Sequence, residues 1–471
     1  MSSTESRSYN SKLNLFVTLI EDQAMARAAE ADEMLARKRP LGILHGLPVV
    51  VKDVFASAGV RTTSGSKMLE TYVPTEDAVT VARLKAAGAI LVGKTNMPEF
   101  AGDWQAFNAV AGTSNNPWDL ARTPGGSTGG GAAALAAGFG FLEVGGDLAG
   151  SIRIPSHFCG VYGHKSTLDI VPNRGHIPPP PGIQPGPAEL PVAGPLARSA
   201  ADLRLALEVL GGPDAGESIA YRWTLPAPRK AKLTDYRIGY VIDDPFCPVD
   251  APVKECLAVA IEELRKHGVQ LVEGWPPEVN PLHYFETFSW LLAAFLSQTV
   301  PDASFSGMQK AAASGANDPW TSGTTALHRD WLRQSAERLR ARAVWQSYFR
   351  SHDAFLMPAS FVAAFPHDHQ DMNSRRLATT QGERPYGDLA RWASFATLTG
   401  CPATVAPVGL TSTGLPVGIQ IVGPFLEDAT TIDIASRMAD LIGGFVAPPG
   451  FGGMRIHITR ITLPRVAAHA R

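Results

Sequence analysis

Residues 124–153 read PGGSTGGGAAALAAGFGFLEVGGDLAGSIR. A glycine-crowded turn holds Ser127, a run of small residues follows, and a second glycine turn presents Ser151. A serine hydroxyl is a weak nucleophile at neutral pH, so catalysis by one requires a base, exposure and fixed donors for the oxyanion. Glycine permits φ > 0 and a close backbone approach, which serves the last two needs. Lys52, in the upstream segment PVVVKD, is the candidate base. Gly-Ser turns are also ordinary loop punctuation, so the pattern alone leaves a purely structural reading open. A phosphate cradle fits less well. The P-loop needs Gly-x-x-x-x-Gly-Lys-Ser/Thr, whereas Gly125 leads to Gly130 and then to Gly131 rather than a lysine. The dinucleotide fingerprint also fails, because no glycine triplet here follows a strand and opens a helix with an acid about 20 residues on.

A lysine acts as a base only when neutral, although its ordinary pKa is about 10.4. Burial disfavours the charged form. Residues 47–51, LPVVV, read as a buried strand that delivers Lys52 at its end. Side chains alternate along a strand, so Asp53 is expected to face away from the amine.

Composition narrows the field. The chain has 471 residues, 45% of them hydrophobic, enough for a sizeable core. With 42 basic and 44 acidic side chains the net charge is −2, and no long cationic run suggests nucleic acid. Cys159, Cys247, Cys256 and Cys401 lack paired metal spacing and read as reduced residues. The longest apolar stretches fall short of the roughly 20 residues of a membrane span, and the polar start MSSTESRSYNSK has no signal-like apolar core. A soluble, cytoplasmic protein is the expectation. The cluster HDHQD at 367–371 could chelate a metal from a strand. Pro366 and the local polarity favour an exposed loop instead, so no metal site is assigned.

Helix and strand signals alternate. The pattern predicts a helix over 21–38 with Ala24, Ala28, Ala31 and Leu35 on one face. It continues with strands at 47–51 and 89–92 around a helix at 77–88, a small-residue helix after Ser127 and a strand near 141–144. Further helices are expected at 199–211, 252–268, 282–297 and 328–350. Strands are expected at 236–242, 270–273, 353–357, 403–408 and 417–422. The proline-rich residues 172–191 read as an ordered loop beside the site. The alternation predicts an α/β fold with a mixed central sheet between helices.

Several blocks then stand together. Lys52 in VVVKD, GKTNMPEF at 93–100, PGGSTGG at 124–130, GGDLAGSIRIPSHFCGVYGHKS at 145–166, and GCPATVAP with GLPVGIQIVGP between 400 and 424 resemble the blocks of the amidase signature hydrolases, in that family's order. The spacing of the two serines agrees as well, and the resemblance runs over residues 12–445. It implies one domain over 1–471, with a mixed twisted sheet of about eleven strands covered by helices on both faces. Residues 1–11 would be a disordered or extended tail. It makes Ser151 the nucleophile, Ser127 the bridging serine behind a cis Gly126–Ser127 bond, and Lys52 the terminal base. The backbone N–H groups of Leu148, Ala149, Gly150 and Ser151 would form the oxyanion hole. No metal or cofactor is implied. His157 and His164, which flank this segment, read as structural.

The resemblance also places the substrate. Phe100, Ala101, Trp104, Gln105, Gly125, Gly126, Thr128 and Trp392 adjoin the matching blocks and are the pocket candidates. The aromatic-rich region 275–390 is the variable part that would tune specificity. Apolar or aromatic amides, including anilides, are then the expected small-molecule substrates, with carbamates and esters open to the same acyl-enzyme chemistry. Two alternatives stay open: the glutamine-hydrolysing subunit of an aminoacyl-tRNA amidotransferase, and a binding protein that kept the fold without catalysis. Departures from the family pattern are Gly146-Asp147 for Thr-Asp, Ala149 for the first glycine of Gly-Gly-Ser, and Thr128 for a serine. Asp147 and Arg153 are expected to tie the loop together. The few residues preceding 13–18, where relatives carry helices, are expected to expose a surface or alter a homodimer contact.

Overall fold

The computed structural model describes residues 10–183 and 189–451. The expected tail thus lies largely outside the described residues. Eleven strands form one sheet. In chain order they are β1 (Phe16–Leu19), β2 (Pro48–Lys52), β3 (Ile90–Thr95), β4 (Leu142–Asp147), β5 (Tyr162–Lys165), β6 (Val192–Ala197), β7 (Arg237–Tyr240), β8 (Gln270–Glu273), β9 (Ala354–Pro358), β10 (Ala403–Leu410) and β11 (Pro416–Val422). Their spatial order is β1-β3-β2-β4-β6-β5-β10-β11-β9-β7-β8. β2 runs parallel to both neighbours, whereas β4 and β6 are antiparallel, so the sheet is mixed.

The β2 run explains how the layers form. Val49 and Val51 pack into the larger apolar cluster, together with Leu203, Ala206 and Leu207 of the helix Ala200–Leu210. Val50 points the other way, into a second cluster built on residues 132–137 of the helix Gly129–Ala136. A strand that is apolar on both faces belongs between two helical layers. Lys52, two residues beyond Val50, therefore lies on the face of the helix that follows Ser127. Among the described residues no helix is long and apolar enough to cross a membrane.

Most expected elements form within a few residues of their forecast bounds. The helix over 21–38 forms as Glu21–Ala36, but only Ala31 of its supposed buried face is enclosed. Leu35 is 39% and Met25 67% exposed, so this helix lies at the periphery rather than in the core. β5 and β6 were not legible. YGHK has no apolar alternation, and VAGPLA carries a glycine and a proline that argue against a strand. Gly194 is required there because a Cβ would collide with the carbonyl of His164. The described part of the proline-rich loop docks by Ile177 N–H donating to Val54 O at 2.8 Å, just beyond the end of β2.

Candidate active site

Lys52 ends β2 and is almost fully enclosed. Its Nζ donates to Ser127 Oγ at 2.6 Å and lies 3.4 Å from Gly146 O. Burial brings its pKa down to about 7, against the opposing pull of Glu143 and Asp147. Asp53 turns to the other face, as alternation requires. Its Oδ2 accepts from Thr63 N–H at 2.9 Å and Thr63 Oγ1 at 2.6 Å.

Ser127 is buried in the turn before the helix Gly129–Ala136. Gly125 has φ +85, and a Cβ on Gly126 would come within 2.7 Å of the backbone of residues 103–105. The Gly126–Ser127 peptide is cis. Ser151 is 7% exposed and sits between β4 and the short helix Arg153–Cys159, next to Gly150 at φ +97. The two serine turns are joined by Thr128 N–H donating to Ser151 O at 3.1 Å. Among the described residues no hydrogen bond links the two hydroxyls directly.

The loop that carries Ser151 is organised by an enclosed ion pair. Asp147 meets Arg153 at 2.7 Å, and its carboxylate also accepts from Gly150 N–H at 2.9 Å and Ile152 N–H at 3.0 Å. Burial works to raise the Asp147 pKa, but Arg153 and the Ile152 N–H outweigh it and hold the group at about 2. Arg153 extends the network to Gln420 Oε1 at 2.6 Å and Thr397 Oγ1 at 2.8 Å. These contacts bear out the tying role read for the pair. Of the four N–H groups expected to form the oxyanion hole, that of Gly150 donates to Asp147. Among the described residues the N–H groups of Leu148, Ala149 and Ser151 meet no protein acceptor. Ala149 has no positive φ, so a side chain is accommodated at that position.

The pocket candidates divide. Phe100, Ala101 and Trp104 are half-buried, and of the three Trp104 reaches the Ser151 loop. Gln105 is enclosed and engaged, donating to Asp368 O at 2.6 Å and accepting from Asp368 N–H at 3.0 Å. Thr128 is enclosed against Gly145. Trp392 is a core residue instead of a pocket wall: its indole donates to Cys247 O at 3.2 Å and its ring packs with Trp275 and Phe246. Gly125 and Gly126 serve the turn. In the variable region, Tyr284, Phe288, Trp290 and Trp345 belong to the core. His369 of the 367–371 cluster stacks on Phe107 at 4.0 Å. His157 accepts from Gly418 N–H at 2.9 Å and reaches Val362 O at 3.2 Å, and burial drives its pKa down to about 4. His164 bonds Thr404 Oγ1 and Asp428 Oδ1. Both histidines are structural.

Sequence reading missed Glu143. It is fully enclosed on β4, accepts from Thr95 Oγ1 at 2.7 Å, and is pushed up to about 8 by burial. Thr95 on β3 pairs in register with Lys52, so the Thr95–Glu143 bond crosses over β2 on the lysine's own face. The available signal was a single acid in the otherwise apolar and glycine run FLEVGG. His176 was missed as well; its ring lies against Gly146 and meets Phe55 edge-on at 5.3 Å.

The amidase family model matches residues 2–432. The chain belongs to the amidase signature family. It is 32% identical to a glutamyl-tRNA(Gln) amidotransferase subunit from Anaeromyxobacter sp. (strain K), over 93% of this chain and 91% of that protein. A solved amidase structure superposes with a TM-score of 0.75 at 27% identity, covering 93% of this chain and 94% of the other. A bacterial aryl acylamidase of the amidase signature family gives a TM-score of 0.75 at 21% identity, over 93% and 91% of the two chains, which speaks for the fold alone. The mixed eleven-stranded sheet is thus the amidase signature fold.

Proposed function

We propose that this amidase-family chain is a serine hydrolase that cleaves amide C–N bonds through an acyl-enzyme on Ser151. The contact that carries the reading is Lys52 Nζ to Ser127 Oγ at 2.6 Å in an enclosed setting, with the lysine's pKa lowered to about 7. A neutral Lys52 takes the Ser127 proton as Ser127 takes that of Ser151. The freed Ser151 oxygen attacks the substrate carbonyl. The oxyanion is received by N–H groups from Leu148, Ala149 and Ser151, donors fixed by the backbone. The proton returns along the relay to the nitrogen as the C–N bond breaks and the amine departs. Water then attacks the acyl ester, giving up its proton through the same chain, and the acid and the Ser151 hydroxyl are regenerated.

Apolar or aromatic acyl and leaving groups, anilides among them, are the proposed preference, since ligand sites are lined mainly by apolar and aromatic side chains. Carbamates and esters present the same attacked carbonyl. One catalytic domain over 1–471 is part of this reading, since one sheet draws strands from Phe16 to Val422. A second reading, glutamine hydrolysis for an amidotransferase, is favoured by the name of the relative at 32% identity. The purified chain, offered 4-nitroacetanilide, a primary amide, a phenyl carbamate, a 4-nitrophenyl ester and glutamine, separates the two, with Ser151→Ala as control. Turnover of anilide or ester that vanishes in Ser151→Ala is expected. Turnover of glutamine alone would favour the second reading, and a fluorophosphonate that labels wild type elsewhere than Ser151 would end the first.

A further inference from the structure

The segment after Phe100 makes a tight detour. Phe100 and Ala101 both take left-handed backbone, at φ +48 and +60. Such conformations are uncommon for residues with a Cβ and persist where surrounding contacts demand them. The detour lays residues 103–105 directly on Gly126, the residue before Ser127, where no Cβ would fit. From there the Trp104 indole N–H donates to Ala149 O at 2.8 Å.

That bond holds one end of a single peptide group. Its other end, Gly150 N–H, donates to Asp147 Oδ1 at 2.9 Å. The Ala149–Gly150 peptide is therefore pinned at both its oxygen and its hydrogen, and it separates two of the free N–H groups, those of Ala149 and Ser151. An uncompensated change in the torsions on either side of this peptide would turn one flanking donor away from the other. Trp104 is in turn seated by a charged cluster. Tyr386 packs edge-on against its indole at 5.5 Å, and the Tyr386 hydroxyl donates to Asp103 Oδ1 at 2.6 Å. Arg375 meets Asp103 Oδ2 at 2.6 Å and lies over the Tyr386 ring at 4.9 Å. Both partners come from the region 275–390.

We infer that Trp104 is a positioning residue for the oxyanion loop: its indole, seated by Asp103, Arg375 and Tyr386, locks the Ala149–Gly150 peptide so that the flanking N–H groups aim at the substrate carbonyl. The indole's polar edge is thereby spent on the backbone, and the variable region reaches the chemistry through this contact. The inference rests on Ser151 as nucleophile, and its test separates the two claims.

Trp104→Phe keeps an aromatic ring against Tyr386 but removes the donor. Tyr386→Phe removes only the hydroxyl on Asp103. Each variant is compared with wild type for 4-nitrophenyl ester hydrolysis, for the rate at which a fluorophosphonate labels Ser151, and for Tm. Misplacement of a catalytic group by about 1 Å costs about a hundredfold, so Trp104→Phe is expected to lower kcat and the labelling rate about tenfold to a hundredfold. KM should stay within about twofold, because ground-state binding is untouched. Tyr386→Phe should show a smaller fall in the same two quantities, and it decides the matter should Trp104→Phe not fold. Wild-type kcat in either folded variant overturns the inference. So does a raised KM at unchanged kcat, which would make Trp104 a substrate contact. A wild-type enzyme that is not labelled at Ser151 overturns the nucleophile and the inference together.

Discussion

Lys52 and Lys94 stand on adjacent strands, both enclosed, and meet different partners. Register pairs Lys94 with Val51, so it projects to the face opposite Lys52. There it donates to Phe55 O and to Thr62 Oγ1, and it faces the Asp53 carboxylate at 3.7 Å. Burial lowers both lysines, to about 7 for Lys52 and about 8 for Lys94. What differs is the acceptor. Lys94 is held by a carbonyl, a carboxylate and a threonine hydroxyl whose own proton is directed at Val60 O at 3.1 Å, whereas Lys52 meets the hydroxyl of Ser127. Burial lowers both lysines, but of the two Lys52 meets the serine that the proposed relay requires.

The sharpest test of that contrast is the pair of lysine variants. Lys52→Ala should cut kcat/KM by about 10²–10⁴, the usual worth of a general base, with little change in urea stability. Retained amide turnover would overturn the base assignment. Lys94→Met should instead strand Asp53, lowering stability by about 3–5 kcal/mol, as breaking a buried pair does. A urea midpoint like that of wild type would show the two faces to be less distinct than the contacts suggest. Ser127→Ala should leave a slow residual activity, down about a hundredfold, and steady-state rates on the same ester would reveal it.

Activity should also follow the lysine's protonation. The base works when neutral, so kcat/KM should rise as pH climbs through about 7 and then level off. The groups facing Lys52 are the Ser127 hydroxyl, Gly146 O, Glu143, Asp147 and His176. Asp147 is ionised throughout this range. Glu143, raised to about 8, is largely protonated at the limb and adds little charge there. Glu143→Gln is therefore the smallest effect of the series. It removes a residual negative charge and should move the limb to lower pH by a fraction of a unit. A displacement to higher pH would contradict this account of the lysine's surroundings.

Much of the site was readable because its chemistry is written in local sequence. The glycines around Ser127 and Ser151, the apolar run ahead of Lys52, and the block order all point to the Lys52–Ser127 contact that forms. The Asp53 orientation followed from alternation alone. Legibility failed where a residue's role depends on a distant partner. Trp392 stood beside a family block yet packs into an aromatic cluster with Trp275 and Phe246. Gln105, a plausible pocket residue by position, spends its amide on the backbone of Asp368. Gly150 N–H looked available until Asp147 was found to hold it.

The linear chain by itself determined the α/β alternation, the two glycine-lined serine turns and the lysine at a buried strand end, because backbone preference and hydrophobic period act over a few residues. Tertiary structure alone decided how these meet. It set Lys52 2.6 Å from a hydroxyl 75 positions away, ran the Thr95–Glu143 bond across the lysine's strand, and brought Trp104 onto Ala149. Strand order and helix docking fix such contacts, and a hydrogen bond depends on distances of a few tenths of an ångström that no local pattern encodes.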